Sequence, residues 1–385
     1  MTKTRTRASW AAVAATLLAA IAPATPAGAQ QQLRRGSNDE HLIDDELRQA
    51  VDRGLAYLAA TQERDGYWPQ LVGYKLNSDY ETIDTRPQPH VGVSSLALIA
   101  FLAGGHLPDR GKYGDVLTRG LDYVMTCVQD DGQITDHGTR MYSHAFATLF
   151  LAEIYGMATR PGVKDALQRS VNLIVDSQNA EGGWRYRPFA RESDMSITVC
   201  QVLALRSARN VGIHVPITTI RNAQNYVYRS AVRANERGSF RPYRGHGGYG
   251  DDGGSFRYQL KPQTRATFPL TAAGVTTLYA AGEYDSPVIR DALEYMDREL
   301  FTFDDMNDHG HYFFYYGHYY AVQAYYVTGG SQWRRYFTEV KQRLLRMQRS
   351  DGSWPNDTGP GPAFGTAVAC LILQIPLQYL PIFQR

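Results

Sequence analysis

The sequence predicts an all-α (α/α)6 toroid, six inner helices ringed by six outer ones, with a Gly-rich hairpin inserted near 238–266. Three observations carry that expectation. Amphipathic stretches alternate with stretches almost free of charge, a Gln-x-x-x-Gly-x-Trp loop recurs between them, and the charge-free stretches begin at spacings of 52, 53, 72, 46 and 51 residues. Recurrence of one loop and helix pattern about every 50 residues, once at 72, marks a repeat architecture.

The 385 residues are 43% apolar and 20% charged with a formal charge of +2, which excludes disorder as the main state. Three cysteines cannot build a disulfide framework, so stability must come from packing. Residues 1–29 read as a signal peptide: Lys3, Arg5 and Arg7 precede an apolar run from Trp10 to Ala22, and Ala27-Gly28-Ala29 offers a small-residue cleavage site. That run is shorter than the ~20 apolar residues a membrane span needs. The expectation is a secreted or periplasmic protein with no transmembrane segment after cleavage. Losing three cations and no acid takes the charge from +2 to −1, so nucleic acid as a partner loses its electrostatic support. Residues 30–43 are polar and read as a flexible leader, which leaves 44–385 as one toroid domain.

Outer helices are expected over 44–61, 115–128, 163–177, 217–232, 287–301 and 332–347. In the first, Leu47, Val51, Leu55 and Leu58 recur at helical spacing with charges between them, the pattern of one wet face. Inner helices are expected over 90–105, 142–156, 195–210, 267–281, 313–328 and 364–375. His90 to Gly105 and Phe364 to Gln374 carry no charged residue, and a helix apolar all round is buried all round.

Between them lie Gln62-Glu63-Arg64-Asp65-Gly66-Tyr67-Trp68-Pro69, Gln178-Asn179-Ala180-Glu181-Gly182-Gly183-Trp184 and Gln348-Arg349-Ser350-Asp351-Gly352-Ser353-Trp354-Pro355, with a shorter copy at Gln129-Asp130-Asp131-Gly132-Gln133. The glycine supplies a positive-φ turn after the outer helix, the Trp covers the end of the helix pair, and the Gln amide can bond a free terminal group. These residues read as structural staples.

Repeats of this form resemble those of squalene and oxidosqualene cyclases and of protein prenyltransferase β-subunits, over essentially all of 44–385. Ser193-Asp194-Met195-Ser196-Ile197-Thr198-Val199-Cys200-Gln201 and the ending Tyr379-Leu380-Pro381-Ile382-Phe383-Gln384-Arg385 resemble the exported bacterial prenyltransferase/squalene oxidase repeat proteins. The resemblance implies a central cavity for an apolar or isoprenoid-like ligand. It does not carry the chemistry across. The Asp-x-Asp-Asp acid of the cyclases has no copy, its nearest approach being Asp304-Asp305-Met306-Asn307-Asp308 in a loop after an outer helix. The Asp-x-Cys zinc pair of the transferases is also missing, since Asp194 precedes Cys200 by six residues.

Candidate functional residues gather where inner helices begin. Asp194, Thr198 and Gln201 fall on one face at i, i+4 and i+7, and an acid facing an apolar cavity has its pKa raised and can act as a general acid. The plainer reading of Asp194, and the favoured one, is a helix N-cap. The second inner helix opens Tyr142-Ser143-His144, and the fifth carries Tyr315, Tyr316, His318, Tyr319 and Tyr320. Asp194, His144 and His318 are therefore the catalytic candidates. Tyr142, Thr198, Gln201, Tyr315, Tyr319, Arg241 and Arg257 are the ligand-binding ones. The tyrosine run also reads as packing with satisfied hydroxyls. No cofactor is required. His309 and His311 leave zinc as an alternative, although two histidines do not make a site. Arg241 and Arg257, on the two predicted strands of the hairpin, can meet a carboxylate or phosphate, and the same segment also reads as a decorated surface loop.

The expected function is binding of a small apolar or amphiphilic ligand in the central cavity, its polar or anionic head near Asp194, His144 and Tyr142, with the reaction unassigned. The alternatives are a non-catalytic binding or scaffold toroid and a carbohydrate-active, lyase- or hydrolase-like toroid. A filled core favours the scaffold, and an open tyrosine-lined groove with arginines favours the carbohydrate reading.

Overall fold

A computed structural model describes residues 42–383, apart from 77–78, 159, 233–252, 262–263 and 308–310, and these belong to one compact unit. The signal segment and residues 30–41 of the leader lie outside the described residues, as do Arg241 and His309.

Twelve helices follow one another among the described residues: α1 (Asp45–Thr61), α2 (Val91–Ala103), α3 (Gly114–Thr126), α4 (Met141–Met157), α5 (Val163–Asp176), α6 (Met195–Asn210), α7 (Ile217–Ser230), α8 (Phe268–Ala280), α9 (Pro287–Asn307), α10 (Tyr312–Thr328), α11 (Gly330–Met347) and α12 (Pro362–Gln374). The even-numbered helices pack side by side in chain order, and α12 returns to α2, so they form a closed inner ring. The odd-numbered helices lie outside it, each against its inner neighbours, with α11 meeting α1. This is the (α/α)6 toroid. The sequence pattern maps directly onto the two layers. Every residue of α2 is buried, whereas α3 buries only Gly114 and a stripe formed by Val116, Leu117, Gly120, Leu121, Tyr123 and Val124.

The recurring loop proves to be the seam between neighbouring repeats. In three copies the Gln amide donates both to the carbonyl of its own motif glycine and to a carbonyl of the next outer helix. Gln62 reaches Val116 of α3, Gln178 reaches Thr219 of α7, and Gln348 reaches Ala50 of α1, all at 2.8–2.9 Å. The last bond ties the end of the chain to its beginning, across 298 residues, and closes the outer ring. Each Trp donates its indole N–H back to the preceding outer helix: Trp68 to Leu58, Trp184 to Ile174, Trp354 to Leu344. Each Trp backbone N–H is accepted by a hydroxyl of the following inner helix, Ser94, Thr198 or Thr366.

The motif glycines have no substitute. Gly66, Gly182 and Gly352 sit at φ of 92°, 93° and 88°, where other residues are strained. A Cβ at any of them would fall within 2.5 Å of a backbone carbonyl of the next outer helix.

Three departures from the expected pattern stand out. The first is α9, which continues to Asn307, so Asp304 and Asp305 are helical rather than in a loop. The second lies between α1 and α2, where the chain forms two small antiparallel sheets. Strands β1 (Pro69–Gln70) and β4 (Gln88–Pro89) make one, and strands β2 (Gly73–Leu76) and β3 (Asp79–Thr82) make the other. The third concerns the proposed hairpin near 238–266. Its first strand lies outside the described residues, and its second is a degenerate staple: Gly254 sits at φ 92° against the Asp291 carbonyl, and the Phe256 N–H is accepted by Thr271 Oγ1 at 3.1 Å. Phenylalanine has replaced tryptophan there, which hides the copy from a Gly-x-Trp search.

Candidate functional site

Inner helices all start at one end of the ring, and a cavity of about 390 Å³ opens between their first turns. That volume falls within the ~300–1,000 Å³ typical of small-molecule sites. Its wall comes from the starts of α2 (Gly92, Val93, Leu96), α4 (Tyr142, Ser143, Phe146), α6 (Ser196), α10 (Tyr312, Phe313, Tyr315, Tyr316, Tyr319, Tyr320) and α12 (Phe364, Val368). Loops ahead of the helices add His90, Thr139, Arg140, Tyr186, Tyr258 and Arg265, and the β2–β3 arm adds Tyr74, Tyr80 and Glu81. Among the described residues ten tyrosines therefore line one apolar space, and Glu81 is the only carboxylate in that wall.

The wall is held in place by its own contacts. The Tyr142 and Tyr186 rings lie 6.3 Å apart, and the Tyr186 and Tyr258 hydroxyls meet at 2.6 Å. The Arg140 guanidinium lies 3.4 Å above the Tyr74 ring, and Arg265 lies 4.5 Å above Tyr258. Tyr80 donates to the Leu71 carbonyl at 3.1 Å, which fixes the arm against the ring. On α10 the hydroxyls of Tyr316, Tyr319 and Tyr320 are buried without a hydrogen-bond partner among the described residues. Buried hydroxyls are normally satisfied, and these three stand at the edge of the cavity.

Electrostatics follows from this burial. Desolvation raises the pKa of Tyr142, Tyr258 and Tyr316, with Tyr186 shifted the same way, so all four keep their protons. His90 lines the wall at the N-cap of α2, where its Nδ1 accepts from the Val93 N–H. Burial lowers its pKa to about 4, so the ring is neutral and its proton sits on Nε2.

Asp194 stands one layer behind the wall. Fully buried at the start of α6, it accepts the Ile197 N–H on Oδ1 at 2.9 Å, as an N-cap should. Its Oδ2 has no hydrogen-bond partner among the described residues. Burial raises its pKa to about 7, against the lowering effects of the Ile197 N–H, Arg185, the Tyr258 hydroxyl and Arg265. Its charge in turn bears on Tyr142, Tyr186, Tyr258 and Tyr316 of the wall, which places the acid beside that group of tyrosines.

The structure does not bring His144 and His318 to the cavity. His144 Nδ1 accepts the Ile134 N–H at 3.0 Å, the bond that Ser94, Thr198, Thr271 and Thr366 make in other repeats. It is the staple acceptor of the second repeat, and burial lowers its pKa to about 4. His318 lies between layers, its Nδ1 2.8 Å from the Tyr336 hydroxyl of α11. Thr198 serves the Trp184 staple, and Gln201 donates to the Met141 carbonyl; neither lines the cavity. Arg257 lies in the bridge to Ala266 and is also absent from the wall. His311 caps α10 through Phe313 N–H. Tyr142, Tyr315 and Tyr319 do line the cavity, whereas Tyr74, Tyr80, Tyr186, Tyr258, His90, Arg140 and Arg265 were not singled out from the sequence.

One expected outcome separates the staple from a proton-transfer role for His144. His144→Leu orphans the buried Ile134 N–H and should cost about 1–3 kcal/mol in chemical unfolding, while ligand binding in the folded fraction stays unchanged.

No family model and no curated protein matches the chain. Solved structures do. A type II terpene cyclase from Scytonema, MstE, in complex with merosterolic acid A aligns with a TM-score of 0.56 at 11% identity, over 86% of this chain and 98% of that one. An α-1,6-mannanase, GH76A of Salegentibacter, with α-1,6-mannotriose aligns at 0.59 and 8% identity, over 85% and 98%. A D-mannose isomerase aligns at 0.59 and 13%, over 86% and 98%. At such identities the likeness concerns the fold alone, and that fold hosts unrelated chemistries.

Proposed function

We propose that this chain binds a ligand with an extended apolar body in the tyrosine-lined cavity at the start of its inner helices. The observation that carries the reading is the wall itself: among the described residues, ten tyrosines and several aliphatic residues enclose about 390 Å³, with one carboxylate. A packed scaffold would have filled that space. Glycosidases typically need two carboxylates flanking the scissile bond, and among the described residues the wall offers only Glu81. A lyase needs a base ready to take a proton. The wall tyrosines hold theirs, and His90, at a pKa of about 4 with Nδ1 already engaged, is a weak one. The terpene cyclase neighbour is bound to merosterolic acid A, which accords with an apolar-bodied ligand here.

A second step of the reading concerns Asp194. Its buried Oδ2 without a partner, beside the Tyr258–Tyr186 hydroxyl pair, fits a carboxylic acid that delivers a proton to a bound ligand through those hydroxyls. Binding comes first and catalysis second. The test is to present the purified protein with lipid and glycan extracts and to read retained molecules by native mass spectrometry. Retention of one apolar molecule per chain supports the reading. Retention of oligosaccharide alone overturns it in favour of the carbohydrate alternative, and retention of nothing favours the scaffold.

A further inference from the structure

We infer that the cavity's ligand is an amphiphile with an oxyanion head, a carboxylate or phosphate, held by Arg140 and Arg265 while its body lies among the tyrosines. This rests on the reading of the cavity as a site for an apolar-bodied ligand. It moves the head away from His144, which the structure commits to a staple.

Both arginines line the cavity, and both sit where inner helices begin: Arg140 is the N-cap of α4, and Arg265 lies three residues ahead of Phe268, the first residue of α8. Neither has a carboxylate within salt-bridge distance among the described residues. Arg160, Arg185 and Arg349, outside the cavity, each have one. Each cavity arginine is instead laid on an aromatic face, Tyr74 for Arg140 and Tyr258 for Arg265. Stacking fixes the guanidinium plane and leaves its edge N–H groups to bind, the arrangement suited to a planar two-oxygen acceptor.

The two cations share one side of the space. Tyr142 follows Arg140 by two residues, its ring faces Tyr186, and the Tyr186 hydroxyl meets that of Tyr258 beneath Arg265. His90 adds a neutral Nε2–H donor on the same wall. No acid pairs with this group among the described residues: Glu81, opposite Tyr74 in the arm, is exposed, and burial raises the pKa of Asp194 to about 7, so it holds its proton at lower pH. Both arginines are half-buried, and cations without an ion-pair partner beside an apolar space favour an entering anion. The helix N-termini gathered at this end act in the same direction.

The test uses the purified protein with oleate, oleyl alcohol, oleyl phosphate and inorganic phosphate, measured by calorimetry below the critical micelle concentrations. Oleate or oleyl phosphate should bind at least about tenfold tighter than oleyl alcohol, and the tighter of the two identifies the head. Arg140→Gln with Arg265→Gln should abolish that preference and leave oleyl alcohol affinity within about twofold. The double Arg→Lys variant should recover part of it and guards against misfolding of the Gln variant. Equal affinity for oleate and oleyl alcohol would overturn the head-group assignment while leaving the cavity reading intact. Inorganic phosphate binding as tightly as oleyl phosphate would also overturn it, by making the apolar body irrelevant. Failure of every oleyl compound to bind would remove the cavity reading itself.

Discussion

Replacing Trp184 by alanine is expected to destabilise the fold by about 3–5 kcal/mol, the usual cost of truncating a fully buried tryptophan. Trp184 is 1% exposed and donates its indole N–H to Ile174 at 2.7 Å, while its backbone N–H is held by Thr198. The substitution therefore leaves a void at a seam between repeats and removes the shorter of two side-chain bonds to the Ile174 carbonyl, the other coming from Ser177 Oγ at 3.3 Å. Urea unfolding should show a lower midpoint with an unchanged slope. Molecules that remain folded should bind ligand as before, because Trp184 is absent from the cavity wall. A stable variant that has lost binding would show that the staples belong to the site.

Asp194→Asn is expected to remove a pH dependence rather than a structural contact. Asparagine keeps a side-chain oxygen for the Ile197 N–H, so the cap survives. An acid whose native pKa lies above its unfolded value binds its proton more tightly in the folded state. Its contribution is thus fully present below pH about 4 and is lost as the pH rises through about 7. A rise from 3.8 to about 7 corresponds to a loss on the order of 4 kcal/mol. The wild-type protein should lose that stability between pH 4 and 8, and Asp194→Asn should not. Glu153 needs a control, Glu153→Gln, because burial raises its pKa to about 7 as well, with Ser207 and the Ile382 backbone opposing. If Asp194 also supplies a proton to the ligand, the Asn variant should bind and fail to convert. An unaltered pH profile would mean that the carboxyl is solvated after all.

The two helical layers were legible because they rest on a difference in charge, and charge is written in the sequence. His90 to Gly105 has none, so α2 is buried on every side. The cavity was half legible. Tyr142, Tyr315 and Tyr319 lie on helices whose register could be counted, and all three line the wall. Arg140, Arg265 and His90 are single residues in separate loops, and only ring closure brings them together. Their common signal, a polar side chain up to three residues ahead of α2, α4 and α8, appears once the helix starts are aligned.

The same alignment explains His144. It stands three residues after Met141, as Ser94 stands after Val91 and Thr198 after Met195, so its register marked it as a staple acceptor. Titratability drew attention to it, but position decides its role. The β2–β3 arm was missed because its strands are only four residues each, shorter than a period-2 pattern can establish.

The central claim is that an apolar body occupies the space between the inner-helix starts. Photolabelling with a fatty alcohol bearing a diazirine on its chain tests it most directly, with labelled sites mapped by peptide mass spectrometry. The account predicts saturable labelling confined to peptides carrying Tyr142 to Phe146 and Tyr312 to Tyr320, suppressed by unlabelled oleyl alcohol. Labelling of the outer helices, or labelling that no competitor suppresses, would contradict it.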